Sequence, residues 1–352
     1  MQQIFQVVSD LCSFASNYIF GLLKTTGRKN VESITRFSKV GSKKLYQEQL
    51  SDTNKLKDAL QNIAKIGTNG KYKYLIIDGT TIQKPYGRKI ENITYDRNSC
   101  SGRVERCISI VASFISTSGK SFPFDFDFWK RIKDCGDDYI KKTDIALNLI
   151  IDVCKKININ MVLMDGGFTC EKILKQVCEL KVEYISRFSR SRYVIIDGVS
   201  NLIQNHSCFS MKRNQRYIKV SGYYKNMKCY FVAHKRNGKN GKSEVVFYIT
   251  NANLPAKKIV KIYSKRFKIE SGFRTTKQKI GLADCQSRSA IKQTNHIFSV
   301  FLAYSISMLD VCPYFKNSVD CYLNFIRQKD GQKTPYQKKR KRNRIRLKRC
   351  LS

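Results

Sequence analysis

Two short apolar runs, residues 74–77 and 162–164, each stop at an Asp-Gly pair, in YLIIDG and VLMDGG. Short runs of strand-forming residues closed by a turn pair read as buried strands. Between them lie two more strand-like runs, RCISIVASFIST and KSFPFDFDF, with Gly119 as their turn, and then a helical apolar stripe over residues 137–156. Three antiparallel strands, a helix and a returning strand predict an α/β sheet with Asp78 and Asp165 at equivalent strand ends. Adjacent strand ends can bring two carboxylates to one divalent ion, and the following glycine lets backbone or substrate approach closely. Either aspartate alone would pass for a turn residue; it is the repetition that carries the signal.

Around this centre the hydrophobic period changes several times. Residues 1–66 read as helical, with apolar positions three and four apart in IFQVVSDLCSFASNYIFGLL and SDTNKLKDALQNIAKIG and a stop at Gly67. Between those helices GRKNVESITRFSKVGSKKL reads either as a basic helix-turn-helix or as a solvated charged face. After Asp165 a helix, a strand and a helix are expected through residues 171–186. Short alternating β runs follow from 187 to about 251: RYVII, RYIKVSGYYK, KCYFVAHK and EVVFYIT. Past Pro255 one long helix, AKKIVKIYSKRFKIESGFRTTKQK, is predicted to end before Gly281, and another is predicted around residues 298–309.

Charge narrows the partner. Sixty-six Lys and Arg against 27 Asp and Glu leave +39, with a pI near 9.9. Such an excess repels itself unless it meets a polyanion, which points to nucleic acid before an anionic membrane surface. Nine of the twelve residues at 338–349 are Lys or Arg, yet removing them still leaves +30, so the body is basic as well as the tail. The tail is expected to be disordered without a partner.

Several classes drop out. The amino terminus has no basic stretch ahead of its apolar run and carries Asp10, so residues 11–23 read as a buried helix rather than a signal peptide. The apolar run at 297–309 falls short of the roughly 20 residues that a bilayer span needs. The 13 cysteines are odd in number and form no C-x2-C, which predicts reduced, scattered, mostly buried thiols in an intracellular protein. His206, His234 and His296 have no zinc spacing. Asp125 and Asp127 share one strand face and are expected to be solvent-exposed on an edge strand. A D-x-D phosphatase reading of Asp78 fails because position 80 is Thr.

On the long helix Tyr263, Arg266, Glu270 and Lys277 fall within an arc of about 60° at about 100° per residue, with Arg274 beside them. One carboxylate among cations and a tyrosine suits a metal held next to a phosphate. It suits equally an exposed helix bearing an Arg266–Glu270 ion pair.

The string Tyr263-x2-Arg266-x3-Glu270-x6-Lys277 resembles the Y-x2-R-x3-E-x6-K signature of the DDE transposases of bacterial insertion sequences, family four. YLIIDGTTI, YDRNSCSGRVERCISIVASF, VLMDGGF and YSKRFKIESGFRTTKQKIGL follow in the family's order. GLLKTTGRKNVESI also resembles the helical amino-terminal region of related transposases. The resemblance spans about residues 20–310 and implies an RNase H-like core, a mixed five-stranded sheet with flanking helices. It further implies Asp78, Asp165 and Glu270 as catalytic ligands of two Mg²⁺ or Mn²⁺, with Tyr263, Arg266, Arg274 and Lys277 on DNA. The implied layout is a helical DNA-binding region at 1–66, the core in two parts at 67–186 and 253–315, a β-rich insertion at 187–252 and the basic tail at 327–352.

By the same resemblance the substrates are double-stranded terminal repeats and target DNA. The acting form is a homodimer or larger synaptic complex away from any membrane, in a bacterial cytosol or, in a eukaryotic host, the nucleus. Some family members pass through a DNA hairpin with an aromatic residue holding a flipped base. Trp129 lies before the second Asp, and Tyr223, Tyr224 and Tyr230 read first as strand packing. The alternative function is a catalytically silent DNA-binding derivative.

Overall fold

A computed structural model describes residues 13–35, 52–98, 101–117, 119–237 and 243–309. The chain divides into two compact units, residues 68–273 and residues 1–67 with 274–352.

The 68–273 unit is built on one mixed sheet. Strand β1 (Tyr74–Gln83) pairs antiparallel with β3 (Val104–Ser116), which carries β4 (Ser121–Trp129) and the short β2 (Thr94–Arg97) on its other side. On its second edge β1 runs parallel to β5 (Met161–Met164), and β5 parallel to β6 (Glu183–Phe188). The order β4-β3-β1-β5-β6 is that of an RNase H-like core. The chain enters β5 through a short α4 (Ile132–Cys135) and α5 (Lys142–Lys156), and passes from β5 to β6 through α6 (Glu171–Glu179). Burial follows from position: β3, flanked on both edges, is buried from Cys107 to Ser116, and α5 lays Ile145, Leu149, Ile150 and Val153 on the sheet.

Five strands are not the whole sheet. β11 (Ser243–Thr250) pairs antiparallel with β6, setting Phe247 opposite Phe188 and Thr250 opposite Ile185. The sheet then continues through β10 (Met227–Asn237), β9 (Tyr217–Tyr224), β7 (Tyr193–Ile196) and β8 (Val199–Leu202) to eleven strands. A β6 ending the sheet would expose a row of unpaired backbone groups, and β11 satisfies them.

Several expectations need correction. β1 does not stop at Asp78 but runs five residues further, held by β3 as far as Gln83–Cys107. Only its parallel pairing stops at Ile77–Met164. After α6 comes strand β6 with no second helix. Asp125 is buried, because α5 covers edge strand β4 and the Phe126 amide donates to its carboxylate at 2.9 Å; Asp127 is exposed as expected. Of the eight described cysteines only Cys107, Cys229 and Cys285 are buried.

The predicted long helix is broken. It comprises α7 (Ala256–Tyr263), a 3-10 turn Ser264–Arg266, α8 (Phe267–Thr275) and a π-turn Thr276–Ile280, capped by Gly281 at φ +89°. A uniform 100° per residue therefore does not hold along it.

In the other unit α1 (Ser13–Lys24) packs on α9 (Ala290–Met308), which begins eight residues before the predicted 298. Ile19, Leu22 and Leu23 are fully buried there, as expected of an apolar amino-terminal helix. His296 is a satisfied core histidine: Tyr18 Oη lies 2.8 Å from its Nδ1 and the Gly281 carbonyl 3.0 Å from its Nε2. Gly21 meets Ile34 of α2 (Val31–Thr35) so closely that a Cβ would sit 2.5 Å from Ile34 Cγ2. α3 (Thr53–Thr68) completes the described helices of this unit. Most of the basic helix-turn-helix stretch and all of the basic tail lie outside the described residues. No described helix is long and apolar enough to cross a membrane.

Candidate active site

Register decides where the two aspartates fall. Because Ile77 is level with Met164 in the parallel pair, the next positions, Asp78 and Asp165, stand side by side at its carboxyl end. Asp165 keeps extended backbone (φ −80°, ψ 164°) for one residue past β5 before the Gly166–Phe168 turn, whose Phe168 amide donates to its carbonyl at 3.0 Å. That turn is tied to β6 by Thr169, which donates to the Arg187 carbonyl at 2.9 Å and bonds the Ser186 hydroxyl. A Cβ at Gly166 would meet the Arg187 carbonyl at 3.4 Å, an ordinary van der Waals contact. The Gly79 amide donates to Asp78 Oδ1 at 2.8 Å.

The helical residues reach the same place through packing. Gly272 lets α8 lie directly on β3: a Cβ there would be 2.7 Å from Phe114 Cε1, and Phe273 meets the Phe114 ring edge-on at 5.3 Å. Tyr263 is buried edge-to-face against Tyr248 of β11 at 4.8 Å. Between these anchors Arg266 donates from Nη1 to Asp78 Oδ2 at 2.7 Å and from Nη2 to Glu270 Oε1 at 2.5 Å. The Arg266–Glu270 pair thus exists, but not on an exposed helix, since Arg266 is only 8% exposed and also holds Asp78.

The electrostatics are those of crowded acids around one cation. Burial raises the Asp78 carboxyl to about 6; Arg266 and the Gly79 amide pull it back, and the charges of Asp165 and Glu270 push it up further. Burial opposes charge on Arg266, yet Tyr263, Asp78, Glu270 and Asp165 together hold the guanidinium above its ordinary value. Asp165 is therefore near enough to act on both. Arg266 Nε and Tyr263 Oη are buried with no hydrogen-bond partner among the described residues.

Five of the seven predicted site residues come together: Asp78, Asp165, Tyr263, Arg266 and Glu270. Arg274, exposed on the last turn of α8, and Lys277, half-buried in the π-turn, belong to the other unit and stand with the site by similarity alone. Sequence reasoning missed Gly272, Phe114 and Tyr248, which carry no charge and seat the helix through shape. Among the other aromatics, Tyr224 is buried edge-on to Phe188 at 5.1 Å, Tyr230 lies under Lys219 at 4.0 Å, and Tyr223 is 45% exposed. Trp129 ends β4 beneath Lys142, whose Nζ is 4.1 Å from the ring centroid.

No three acidic, histidine or cysteine side chains among the described residues enclose a metal ion as they stand. Arg266 occupies the place between Asp78 and Glu270. The donors are all carboxylate oxygens, the chemistry of a hard divalent cation, and the site already holds a cation. The residues therefore suit the Mg²⁺ or Mn²⁺ that the resemblance implies.

The profile of the DDE superfamily endonucleases matches residues 5–207, more than half of the chain. The chain belongs to the DDE superfamily. A second profile, of the transposase DDE domain, matches residues 138–306, so this DDE protein has Asp78 in the first match, Glu270 in the second and Asp165 in both. Comparison with curated proteins gives no match. Among solved structures, an endonuclease V from Bacillus subtilis shares 10% identity over 69% of this DDE chain and 90% of its own, with a TM-score of 0.27.

Proposed function

We propose that this transposase-like nuclease of the DDE superfamily cuts DNA at the ends of an insertion sequence and joins them to target DNA, a cut-and-paste transposase. The observation that carries the reading is the convergence on Arg266 of two carboxylates from distant elements, Asp78 of β1 and Glu270 of α8, with Asp165 at the adjoining strand end.

In this reading Asp78, Asp165 and Glu270 hold two Mg²⁺ or Mn²⁺. Bound there, such a pair would supply activation of water or a 3′-hydroxyl and stabilisation of the leaving oxygen in an in-line phosphoryl displacement. The chain's own contribution is placement. Asp78 on β1 and Asp165 just past the end of β5 stand side by side in one sheet, and the seat of α8 on Phe114 brings Glu270 to the Arg266 that Asp78 also holds. Arg266 presents a planar fork that matches two phosphate oxygens, and the unpartnered Tyr263 hydroxyl lies beside it, so both grip the transposon end near the cut. Arg274 and Lys277 join them by similarity.

The remaining parts follow the same reading. Residues 1–66 bind DNA, 67–186 and 253–315 form the catalytic core, 187–252 the insertion, and 327–352 add nonspecific phosphate contacts. Two or more copies act on paired ends, in a bacterial cytosol or in the nucleus of a eukaryotic host.

A plasmid cleavage assay tests this. Purified protein is incubated with supercoiled plasmid carrying the flanking element ends, in Mg²⁺ or in EDTA, beside Asp165→Ala. Metal-dependent nicking or excision lost in Asp165→Ala is expected. Tight binding of the ends without cutting, whatever the metal, would instead make the chain a silent DNA-binding derivative.

A further inference from the structure

We propose that Arg266 is a resident counter-ion of the acidic centre, and that a DNA phosphate draws it away, so that DNA engagement and divalent-ion loading reinforce each other. The inference rests on the metal-site reading above and adds the coupling. Arg266 Nη1 and Nη2 occupy oxygens of Asp78 and Glu270 at 2.7 and 2.5 Å. A divalent ion needs those same oxygens, and a guanidinium left within about 4 Å of it would be strongly repelled in so buried a place. Of the five N–H donors of the guanidinium, the two carboxylates take one each from Nη1 and Nη2. Its Nε is already without a partner, a donor that a phosphate oxygen would satisfy. The Glu270 side chain, 39% exposed, leaves the pair open on one side. Arg266 thus has two alternative anionic partners, and each binding event that takes it from the carboxylates, or takes the carboxylates from it, favours the other.

The test is Mn²⁺ binding by the full chain, counted by electron paramagnetic resonance as the fraction abolished in Asp165→Ala, with and without a duplex oligonucleotide. In wild type the duplex should tighten Mn²⁺ binding about ten-fold, within the range usual for coupled sites. In Arg266→Gln, Mn²⁺ should bind tightly without DNA and the duplex should add little. An Arg266→Gln protein that binds Mn²⁺ no better than wild type, or one in which the duplex still tightens it fully, would overturn the proposal. Should Arg266→Gln not fold, the wild-type coupling alone decides, and its absence refutes the exchange. Asp165-dependent Mn²⁺ binding that is equal in every form removes the exchange but keeps the metal site; its absence from every form removes both.

A second observation carries a separate proposal. β1 continues past Asp78 into a tight turn at residues 84–87, closed by the Gly87 amide on the Lys84 carbonyl at 3.0 Å and anchored by Arg106 Nη1 on the Pro85 carbonyl at 3.0 Å. Gly87 packs against Ile90, whose Cδ1 would have to shift to admit a Cβ 2.6 Å away. This fixed turn holds Tyr86 95% exposed, with Arg88 and Lys89 exposed beside it. It leaves the sheet at the end where Asp78 and Asp165 stand, some five strand residues, or about 17 Å, beyond Asp78.

We infer that Tyr86 and its two cations contact the DNA flank about five base pairs from the cut, the ring on a base or in the minor groove and the cations on phosphates. Fluorescence anisotropy of a labelled duplex with the full chain separates the two kinds of contact. Tyr86→Ala should weaken binding about five-fold or more with an unchanged salt slope. Arg88→Ala with Lys89→Ala should flatten the slope by about two. Wild-type affinity in both variants, or a Tyr86→Ala protein altered only in self-association, would overturn the inference. A wild type that binds no DNA would remove the nuclease reading itself.

Discussion

Glu270 and Asp78 bear on the same guanidinium but make different predictions. Glu270→Ala should abolish cleavage while leaving DNA binding nearly intact, as read by plasmid nicking beside a gel shift; retained cleavage would exclude Glu270 as a ligand. Asp78 is a pH probe. Its carboxyl rises on folding from 3.8 to about 6. Between those values the native state keeps a proton that the unfolded chain has lost, so stability falls as pH rises through that window and returns on acidification. In metal-free buffer, the difference in unfolding free energy between wild type and Asp78→Asn should change by up to about 3 kcal/mol across it. A flat difference would mean that burial does not act on Asp78. Both aspartates are legible in the sequence because each closes an apolar run and precedes glycine. The burial of Arg266 is not legible, because an i,i+4 pair with Glu270 reads the same on a solvated helix as on a buried one.

Among the elements, α8 stands where it does because Gly272 brings its backbone onto Phe114. Gly272→Val should destabilise the protein by about 1–3 kcal/mol through overpacking and reduce cleavage with it. Phe114→Leu opens the same space, so the double variant should lose less than the sum of the two, measured by thermal unfolding. Additive losses would place the strain elsewhere. Strand and helix types around the site are readable from period and glycine alone, including the stop at Gly281. The break at Ser264–Arg266 is not, since it contains neither proline nor glycine and is imposed by what Tyr263 and Arg266 contact. The start of α9 at Ala290 was also hidden, because its first turns are polar.

For the whole molecule the net charge of +39 makes the strongest forecast. Removing residues 327–352 should flatten the salt dependence of DNA binding while metal-dependent cleavage persists, checked by titrating affinity against salt. Loss of cleavage with intact end binding would give the tail a catalytic part. The succession of strands and helices in the core is legible from local runs, whereas its RNase H-like order enters the sequence reading only through the resemblance to DDE transposases. The continuity of the sheet into the insertion is not legible, since it depends on Phe188 meeting Phe247 across a long stretch of sequence.

That seam between β6 and β11 has a geometric consequence. Neighbouring strands in a twisted sheet turn by about 20–25° each, and four steps separate β6 from β7. At that average the turn accumulated from β6 to β7 would be about 80–100°. A straight duplex aligned with the catalytic strands would cross the outer ones rather than follow them. A substrate that followed both directions would have to bend, and the stiffness of DNA would then enter the choice of site.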